Sequence, residues 1–338
     1  MSDLFIPSQP RRIVPGAGDP QSRIAIVGEA PGSYENQQLR PFVGPAGSVL
    51  EQCLHGAGLI RGEVYLTNVV KVQPPKNDIS PFFNDKKKAF TAEGLEWVQF
   101  LYQELDKCEA NVIVACGAVA QAALTNSRGI LKYRGYVFPS RGLAQLRKVI
   151  PTIHPSAALR GQYIYKHLIA TDLRKAKDLC GTRELVRPQR QLVTQFGNVN
   201  EVLEWLEYYA TQPRVSFDIE VLNYEMACIA ISSDPMVSIS VPLVRVWTER
   251  DELLIWRAIQ RVLGNPHSIK VGQNLIFDIH FLLTRCGIEV KGPLEDTMIG
   301  HHIVYPELQK GLGFLGSLHC GAQEYWKDYK FDNIKEES

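Results

Sequence analysis

The 338-residue sequence lacks several features that would place it in a special class of protein. Its seven cysteines stand singly, without a Cys-x-x-Cys pair, which argues against a disulfide framework or a zinc site and favours thiols in a reducing compartment. It has no signal peptide and no apolar run of membrane-spanning length, so we expect a cytoplasmic protein without a membrane partner. The composition is ordinary, at 45% hydrophobic and 22% charged residues, and the length predicts about two domains.

The net charge of +1 hides an asymmetry between the two halves of the chain. Residues 1–180 carry 22 Lys and Arg against 15 Asp and Glu, a net of +7, whereas residues 181–338 carry 15 against 21, a net of −6. A basic half suits a polyanion such as nucleic acid. An acidic half is typical either of a carboxylate metal site or of a solvated surface, and composition leaves both open.

Strand-like and helical segments alternate through the first half, which favours a parallel sheet covered by helices on both faces. The segment 181–194 contains a proline and few apolar residues, so it is the predicted linker. We therefore expect an α/β protein with one domain over 1–180 and another over 195–338. The second half begins with a predicted helix, followed by three strand-like runs that start with RVSFDIEV.

Polar and aromatic side chains follow three of the predicted strands in the first half. The loop VGEAPGSYENQQLRPFVGPAG, rich in Gly and Pro, supplies Glu29, Glu35 and Phe42, and the other two loops supply Asn68 and His154. Because the carboxyl ends of parallel strands meet at one edge of a sheet, these loops are expected to form one site. Each residue also has an ordinary alternative: a solvated carboxylate, a core phenylalanine, a turn-capping asparagine or a structural histidine.

Together these segments resemble the uracil-DNA glycosylase superfamily over about residues 13–178, closest to its family-four and family-five branches. The resemblance implies a three-layer α/β/α fold and hydrolytic release of uracil from a base flipped out of DNA. It implies that Phe42 stacks on the uracil, that Asn68 recognises its Watson–Crick edge and that His154 donates a hydrogen bond to the departing uracil anion. Glu29, helped by Glu35, would orient water and offset positive charge on the sugar.

The loop after His154 completes the implied site, and the cysteine pattern departs from the family. Ser156 is an expected substrate contact, while Leu159 and Arg160 would wedge into the duplex and grip phosphate. Family-four enzymes usually bind an iron–sulfur cluster through four cysteines. Here residues 1–52 contain no Cys and Val72 stands where the family has one, so we expect no cluster. Leu39 and Arg40 also replace the family's glycine before Pro-Phe.

A second group of polar residues lies in the acidic half. In VSFDIEV, Asp218 and Glu220 alternate with apolar residues and therefore share one face of the predicted strand. In VGQNLIFDIHFL, Asn274 and Asp278 are predicted to lie one helical turn apart on one face. Carboxylates on a buried strand cost free energy unless they are compensated, and a divalent cation is the usual partner. The alternative is an exposed edge strand with solvated acids.

These segments resemble the DEDD-type 3'-5' exonuclease domain of family-A DNA polymerases. The resemblance implies an RNase H-like mixed sheet in which Asp218, Glu220 and Asp278 hold Mg²⁺ or Mn²⁺ for phosphodiester hydrolysis, with Asn274 contacting the substrate. Asp296 is expected to be structural. The third motif of the class, an Asp four residues after a Tyr or five after a His, is absent beyond residue 296. We therefore expect an exonuclease domain that is incomplete at its C-terminus, as in a truncated chain or a split gene.

The two resemblances predict a DNA repair and replication protein acting on DNA in a phage-infected or bacterial cell. Its substrates would be uracil-containing DNA, single- or double-stranded, and DNA 3' ends, and a separate polymerase polypeptide is a candidate partner. The alternative hypothesis is a non-catalytic DNA-binding platform, the N-terminal part of a split or truncated family-A DNA polymerase.

Overall fold

The computed structural model describes residues 12–84, 86, 87, 89–125, 127–321 and 325. These residues form two units, one comprising the described residues up to Arg187 and from Gly313 onward, the other Pro188–Leu312. Each unit has its own hydrophobic core. In the described part of the chain, no helix is both long and apolar enough to cross a membrane.

The first unit is built on a five-stranded sheet in which all neighbouring strands except the last pair run parallel. The strand order is β2-β1-β5-β7-β6, and a separate two-stranded ribbon contains β3 and β4. The bounds are β1 Ile24–Gly28, β2 Val64–Asn68, β3 Phe83–Asn84, β4 Ala89–Phe90, β5 Val112–Cys116, β6 Phe138–Pro139 and β7 Lys148–Thr152. Every residue of β1, β2, β5 and β7 is buried, as expected for parallel strands that are covered on both faces.

Helices cover both faces of this sheet. They are α1 Ser33–Gln38, α2 Pro45–Gly56, α3 Ala92–Asp106, α4 Gly117–Leu124, α5 Ile130–Tyr133, α6 Pro155–Ala158 and α7 Ile164–Leu179. Residues of α3 and α4 share one core cluster with Ala25, Val27 and Ile113 of the sheet. Helices α2 and α7 pack on each other, and α7 lies against β5 and β7, outside that cluster. The predicted α/β/α arrangement is confirmed.

The second unit contains a mixed six-stranded sheet, as predicted. Its strand order is β13-β12-β9-β10-β11-β8, and β10 is antiparallel to both of its neighbours. The bounds are β8 Gln191–Val193, β9 Arg214–Leu222, β10 Glu225–Ser232, β11 Val237–Pro242, β12 Ile269–Gly272 and β13 Leu294–Asp296. The remaining helices of the described residues are α8 Val199–Ala210, α9 Glu249–Leu263, α10 Leu275–Cys286 and α11 Thr297–Val304, which lie in this unit, and α12 Leu312–His319, which belongs to the first unit from Gly313 onward.

Strand β9 lies in the interior of the second sheet. It pairs with β12 on one side and β10 on the other, and its residues alternate between exposed and buried. Val215, Phe217 and Ile219 enter the core, so Asp218 and Glu220 lie on the opposite face. The edge-strand part of the alternative is therefore wrong, because β9 pairs with β12 at residues 214–216 and with β10 over residues 216–222, although Asp218 and Glu220 are exposed as that alternative expected.

Candidate active sites

The three predicted loops of the first unit meet at the carboxyl edge of its sheet. Gly28 and Asn68, the last residues of β1 and β2, are paired in register, and β7 ends two residues before His154. A cavity of about 320 Å³ lies there, near the small end of the range for ligand pockets. Its walls include five predicted site residues, Glu35, Phe42, Asn68, His154 and Leu159, and two residues that were not predicted, Tyr34 and Asn77.

Phe42 and Asn68 approach each other across Gly28. Both side chains are nearly buried, with 5% exposed in each case. A Cβ atom on Gly28 would lie 2.3 Å from Oδ1 of Asn68 and 2.7 Å from Cζ of Phe42, so only glycine allows this approach. The rings of Phe42 and His154 are nearly parallel, with centroids 6.2 Å apart. The cavity therefore has an aromatic wall beside an amide that can both donate and accept hydrogen bonds.

The carboxylate of Glu35 holds the glycine-rich loop together. It accepts hydrogen bonds from the backbone amides of Gly32 (3.1 Å), Val43 (3.1 Å) and Gly44 (2.7 Å), which use both of its oxygens. Only 9% of the residue is exposed. This environment suits a residue that positions the loop better than the water-orienting role that we expected.

Glu29 directly follows β1 and is partly exposed. Its backbone oxygen accepts from the amide of Val70 (3.0 Å), and the oxygen of Gly28 accepts from Val69 (2.9 Å), so pairing with the chain after β2 continues beyond the strand ends. Glu29 is not among the residues that form the cavity walls. Its predicted role at the sugar stays a prediction.

His154 is held as a neutral ring with a defined tautomer. The amide of Ser156 donates to Nδ1 (3.2 Å), and Oγ of Ser156 lies 2.8 Å from the same atom. An amide can only donate, so Nδ1 is an acceptor and a neutral ring carries its proton on Nε2. Burial lowers the pKa of His154 to about 4, and Arg160 adds to this shift while Glu35 opposes it. Ser156 and Arg160 therefore act on His154, and neither forms a cavity wall.

A buried ion pair supports the end of β2. Lys71 is fully buried and donates to the backbone oxygen of Asn68 (2.6 Å) and to Oγ1 of Thr67 (2.5 Å), and it forms an ion pair with Glu104. Glu104 also accepts from Tyr65 (3.1 Å) and Thr67 (2.9 Å). Lys71 lies in the TNVVK motif, but the sequence alone did not show that its side chain turns back to fix the Asn68 backbone.

Three acids gather on the second unit. Asp218 and Glu220 are exposed on one face of β9, whereas Asp278 of α10 is 5% exposed and its Oδ1 accepts from the amide of Ile219 (3.1 Å). Partial desolvation raises the pKa of Asp218 although its side chain is exposed, and the charges of Asp278 and Glu220 raise it further. The pKa of Asp278 is also raised, mainly by burial. The carboxylates are therefore close enough to repel one another.

Asn274 is not a helical residue, so the prediction that it lies one helical turn before Asp278 within the same helix is wrong. It is the N-cap of α10 and adopts a left-handed conformation, with φ of 61°. Periodicity within a helix does not extend to a capping residue. The amides of Asn274 (3.1 Å) and Leu275 (2.8 Å) donate to Asp296, which also accepts from Met298 (2.8 Å) at the start of α11. Asp296 thus has the structural role that we expected.

The acids of the second unit fit a divalent cation by their chemistry. Among the residues that the structure describes, no three His, Cys, Asp or Glu side chains converge tightly enough to hold an ion as they stand. The set offers hard carboxylate oxygens, however, and a cation would relieve the repulsion that raises their pKa values. A larger cavity of about 820 Å³ takes in Asp296 but none of the three acids. The C-terminal stretch YWKDYKFDNIKEES, expected to end before the third motif, lies outside the described residues except for Tyr325.

Two family models match the chain. The uracil DNA glycosylase superfamily matches residues 15–173 and a 3'-5' exonuclease family matches residues 195–335. A type-4 uracil-DNA glycosylase of Thermotoga maritima is 36% identical over 168 residues, which cover 49% of this chain and 81% of that protein. A type-4 enzyme of Archaeoglobus fulgidus is 33% identical over 177 residues, covering 51% of this chain and 83% of that protein.

A third relative spans both units. A DNA polymerase of Bacillus phage SP01 is 27% identical over 326 residues, which cover 86% of this chain but only 33% of the polymerase. The pocket of the first unit and the acidic face of the second lie within the regions matched by the two family models. The chain belongs to the uracil-DNA glycosylase superfamily through its first unit and carries a 3'-5' exonuclease domain after it.

Proposed function

We propose that the first unit removes uracil from DNA by hydrolysing the N-glycosidic bond of a base flipped into the 320 Å³ cavity. The observation that carries this proposal is the meeting of Phe42, Asn68 and a neutral His154 in one cavity of that size. Flipping costs a few kcal/mol, which stacking on Phe42 and hydrogen bonds to Asn68 would offset. The type-4 glycosylase relatives support the same activity.

Recognition depends on the orientation of Asn68. Its amide offers one donor edge and one acceptor oxygen, which complements the N3–H and a carbonyl oxygen of uracil. Cytosine has no proton on N3 and carries an amino group in place of the 4-carbonyl, so an amide held in the orientation that suits uracil would leave buried groups unpaired. Lys71 donates to the backbone carbonyl of Asn68 and so restrains the main chain that carries this amide.

Bond cleavage transfers negative charge to the leaving uracil and positive charge to the sugar. The Nε2–H of His154 donates a hydrogen bond to the uracil oxygen that gains charge, without surrendering its proton. Water, oriented in this proposal by Glu29, adds to the sugar carbon and releases a proton to solvent, and the uracil anion takes a proton from solvent. Glu35 contributes by holding the loop that carries Phe42.

We also propose that this unit works without an iron–sulfur cluster. No cysteine precedes Cys53 in the sequence, and Val72 is a buried apolar residue. Burial raises the pKa values of the Cys53 and Cys108 thiols to about 11, which disfavours the thiolates that such a cluster needs. The cysteines present therefore do not fit the cofactor of the family.

For the second unit we propose metal-dependent hydrolysis at DNA 3' ends. Asp218, Glu220 and Asp278 would hold Mg²⁺ or Mn²⁺, which supplies an activated water and stabilises the leaving oxygen. The exonuclease family match and the DNA polymerase relative support a proofreading role for this unit. We further propose that it acts in a phage-type family-A polymerase system with a separate polymerase polypeptide as partner. We also propose that the chain divides into a glycosylase domain at residues 1–180, a linker at 181–194 and an exonuclease domain at 195–338.

One assay tests both activities. The full chain is incubated with single- and double-stranded DNA that contains uracil, in EDTA and in Mg²⁺. Abasic sites in EDTA would support the glycosylase, and shortening from the 3' end only in Mg²⁺ would support the nuclease. Because no three acids converge in the described residues, a DNA-binding platform is the second candidate for the exonuclease unit. Binding without shortening would favour it.

A further inference from the structure

The backbone of Phe42 is held in a conformation that an aromatic residue rarely adopts. Its φ is 54°, in the left-handed region, where a side chain other than glycine crowds the backbone. Left alone, this residue would relax to a negative φ and carry its ring elsewhere. The position of the ring beside Asn68 therefore depends on contacts that hold the backbone from outside.

Two side chains bracket Phe42 from opposite directions. The guanidinium of Arg61 donates through Nη1 to the carbonyl of Phe42 (3.0 Å) and through Nη2 to the carbonyl of Pro41 (2.7 Å). On the other side, Glu35 accepts from the amides of Val43 (3.1 Å) and Gly44 (2.7 Å). These four bonds restrain the peptide groups before and after the strained residue.

Arg61 stands outside the cavity and connects the two recognition elements. It opens the short 3-10 helix that leads directly into β2, the strand that ends at Asn68. Its side chain is 27% exposed and lies 3.7 Å from a carboxylate oxygen of Glu51 on α2. A fork of two parallel donors suits two neighbouring carbonyls, which a lysine ammonium cannot bridge with the same geometry.

We propose that Arg61 is a positioning residue that fixes the Phe42 ring relative to Asn68, so that a base stacked on one is aligned with the other. This inference rests on the proposed uracil site. It assigns Arg61 no contact with substrate. Its effect on catalysis passes through Phe42.

A double-mutant cycle tests this dependence. Single-turnover uracil release from single-stranded DNA, and inhibition by free uracil, are measured for wild type, Arg61→Ala, Phe42→Ala and the double variant. Misplacement of a reacting group by about 1 Å costs on the order of 100-fold, so we expect Arg61→Ala to lower the rate by about 10- to 100-fold and to weaken uracil inhibition. In the Phe42→Ala background the same change should alter either quantity by less than about 2-fold.

Arg174→Ala is the matched control. Arg174 also donates to a backbone carbonyl, that of Gly56 (2.6 Å) at the end of α2, and it lies outside the cavity walls. We expect this variant to keep wild-type activity, with a change in thermal stability similar to that of Arg61→Ala. If Arg61→Ala does not fold, Arg61→Lys, which keeps a cation beside Glu51, carries the same test and should also lose activity.

The outcomes separate the inference from the proposed function. Full activity of Phe42→Ala would refute stacking and therefore the proposed site. If Phe42→Ala is inactive but Arg61→Ala and Arg61→Lys behave like the Arg174 control, the positioning role of Arg61 is overturned. It is equally overturned if the effects of Arg61→Ala and Phe42→Ala multiply in the double variant. Multiplying effects would mean that Arg61 does not act by positioning the Phe42 ring.

Discussion

The two units differ in how the charges and polar groups of their functional side chains are compensated. In the first, Glu35 accepts from three amides, Lys71 is paired with Glu104, and His154 is neutral with Nδ1 occupied by Ser156. In the second, the pKa values of Asp218 and Asp278 are raised by burial and by neighbouring carboxylates. The first site is organised by internal hydrogen bonds, whereas the second accumulates negative charge.

This difference predicts different requirements for activity. A site whose polar groups are already paired can stabilise a departing anion without further charge, because its dipoles are fixed before the reaction. A site of mutually repelling acids needs a cation before it can act on a phosphodiester, which is itself an anion.

The largest expected effect is in the second unit. Asp218→Ala removes one carboxylate of the acidic face, and we expect metal-dependent shortening of DNA 3' ends to fall by about 10³-fold or more, since metal catalysis supplies several kcal/mol. Calorimetric titration with Mn²⁺ should show weaker binding. Glu225→Ala, an exposed acid on the neighbouring strand, is the control and should retain both properties. Equal nuclease activity in the two variants would show that Asp218 is not part of the active site.

The next effect concerns recognition in the first unit. We expect Asn68→Ala to lower uracil release in EDTA by about 10³-fold, because the variant loses both hydrogen bonds to the base edge. DNA binding, measured by fluorescence anisotropy, should change little. Gln52→Ala removes an exposed amide on α2 and should leave the rate unchanged. Substantial residual activity in Asn68→Ala would show that another group recognises uracil.

The fold could be predicted from the sequence because the patterns that indicate its strands are local. Uninterrupted apolar runs such as IAIVG mark strands buried on both faces, and the alternation in RVSFDIEV marks a strand with one polar face. The parallel sheet then brings the strand ends together whatever the intervening chain contains. Phe42, Asn68 and His154 are therefore found in one cavity.

The supporting residues could not be found in this way, because their contacts form only in the folded chain. Arg61 donates to backbone carbonyls of the loop and Glu35 accepts from its backbone amides, and backbone partners leave no pattern in a sequence, so Arg61 was not found and the loop-holding role of Glu35 was not predicted. Asn77 reaches the cavity in a left-handed conformation, φ 57°, at the end of a short 3-10 helix, Pro75–Asn77, that carries no motif. The helical spacing of Asn274 and Asp278 was misleading because α10 begins at Leu275.

A smaller effect tests the ion pair beneath Asn68. Lys71→Met leaves Glu104 largely buried without its cation, and breaking such a pair typically costs about 3–5 kcal/mol. We expect the free energy of unfolding of the first unit, measured in urea, to fall by about this amount. Lys71→Met/Glu104→Gln should recover part of the loss, because no uncompensated charge remains. Lys177→Met removes a lysine that donates to Gly58 at an exposed position and should have little effect.

The recovered double variant also separates folding from catalysis. It lacks the bond from Lys71 to the Asn68 backbone, so we expect uracil release to stay below the wild-type rate although the unit is folded. Stability that is not lowered in Lys71→Met would show that the buried pair makes no net contribution. That result would mean that the end of β2 is stabilised mainly by its apolar neighbours.

The smallest expected effect is on the pH dependence of stability, which should have opposite signs in the two units. His154 has a folded pKa of about 4, below its ordinary value of 6.5, so the unfolded chain binds the proton more readily between these values. The stability of the first unit should therefore rise from pH 4 to 6.5, by at most about 1.4 kcal/mol per pH unit from this group. Asp218 and Asp278 have raised pKa values, so their contribution is present at low pH and is lost as the pH rises through those values.

Hydrogen exchange resolved by peptide measures the two slopes separately, in EDTA and in Mg²⁺. His154→Gln should flatten the slope of the first unit alone, and Asp218→Asn should reduce that of the second alone. Mg²⁺ should stabilise the second unit most at neutral pH, where its acids are ionised, and leave the first unchanged. Slopes of the same sign in both units would mean that the acids of the second unit do not repel one another in the folded chain, and the contrast between a paired site and a charged one would fail.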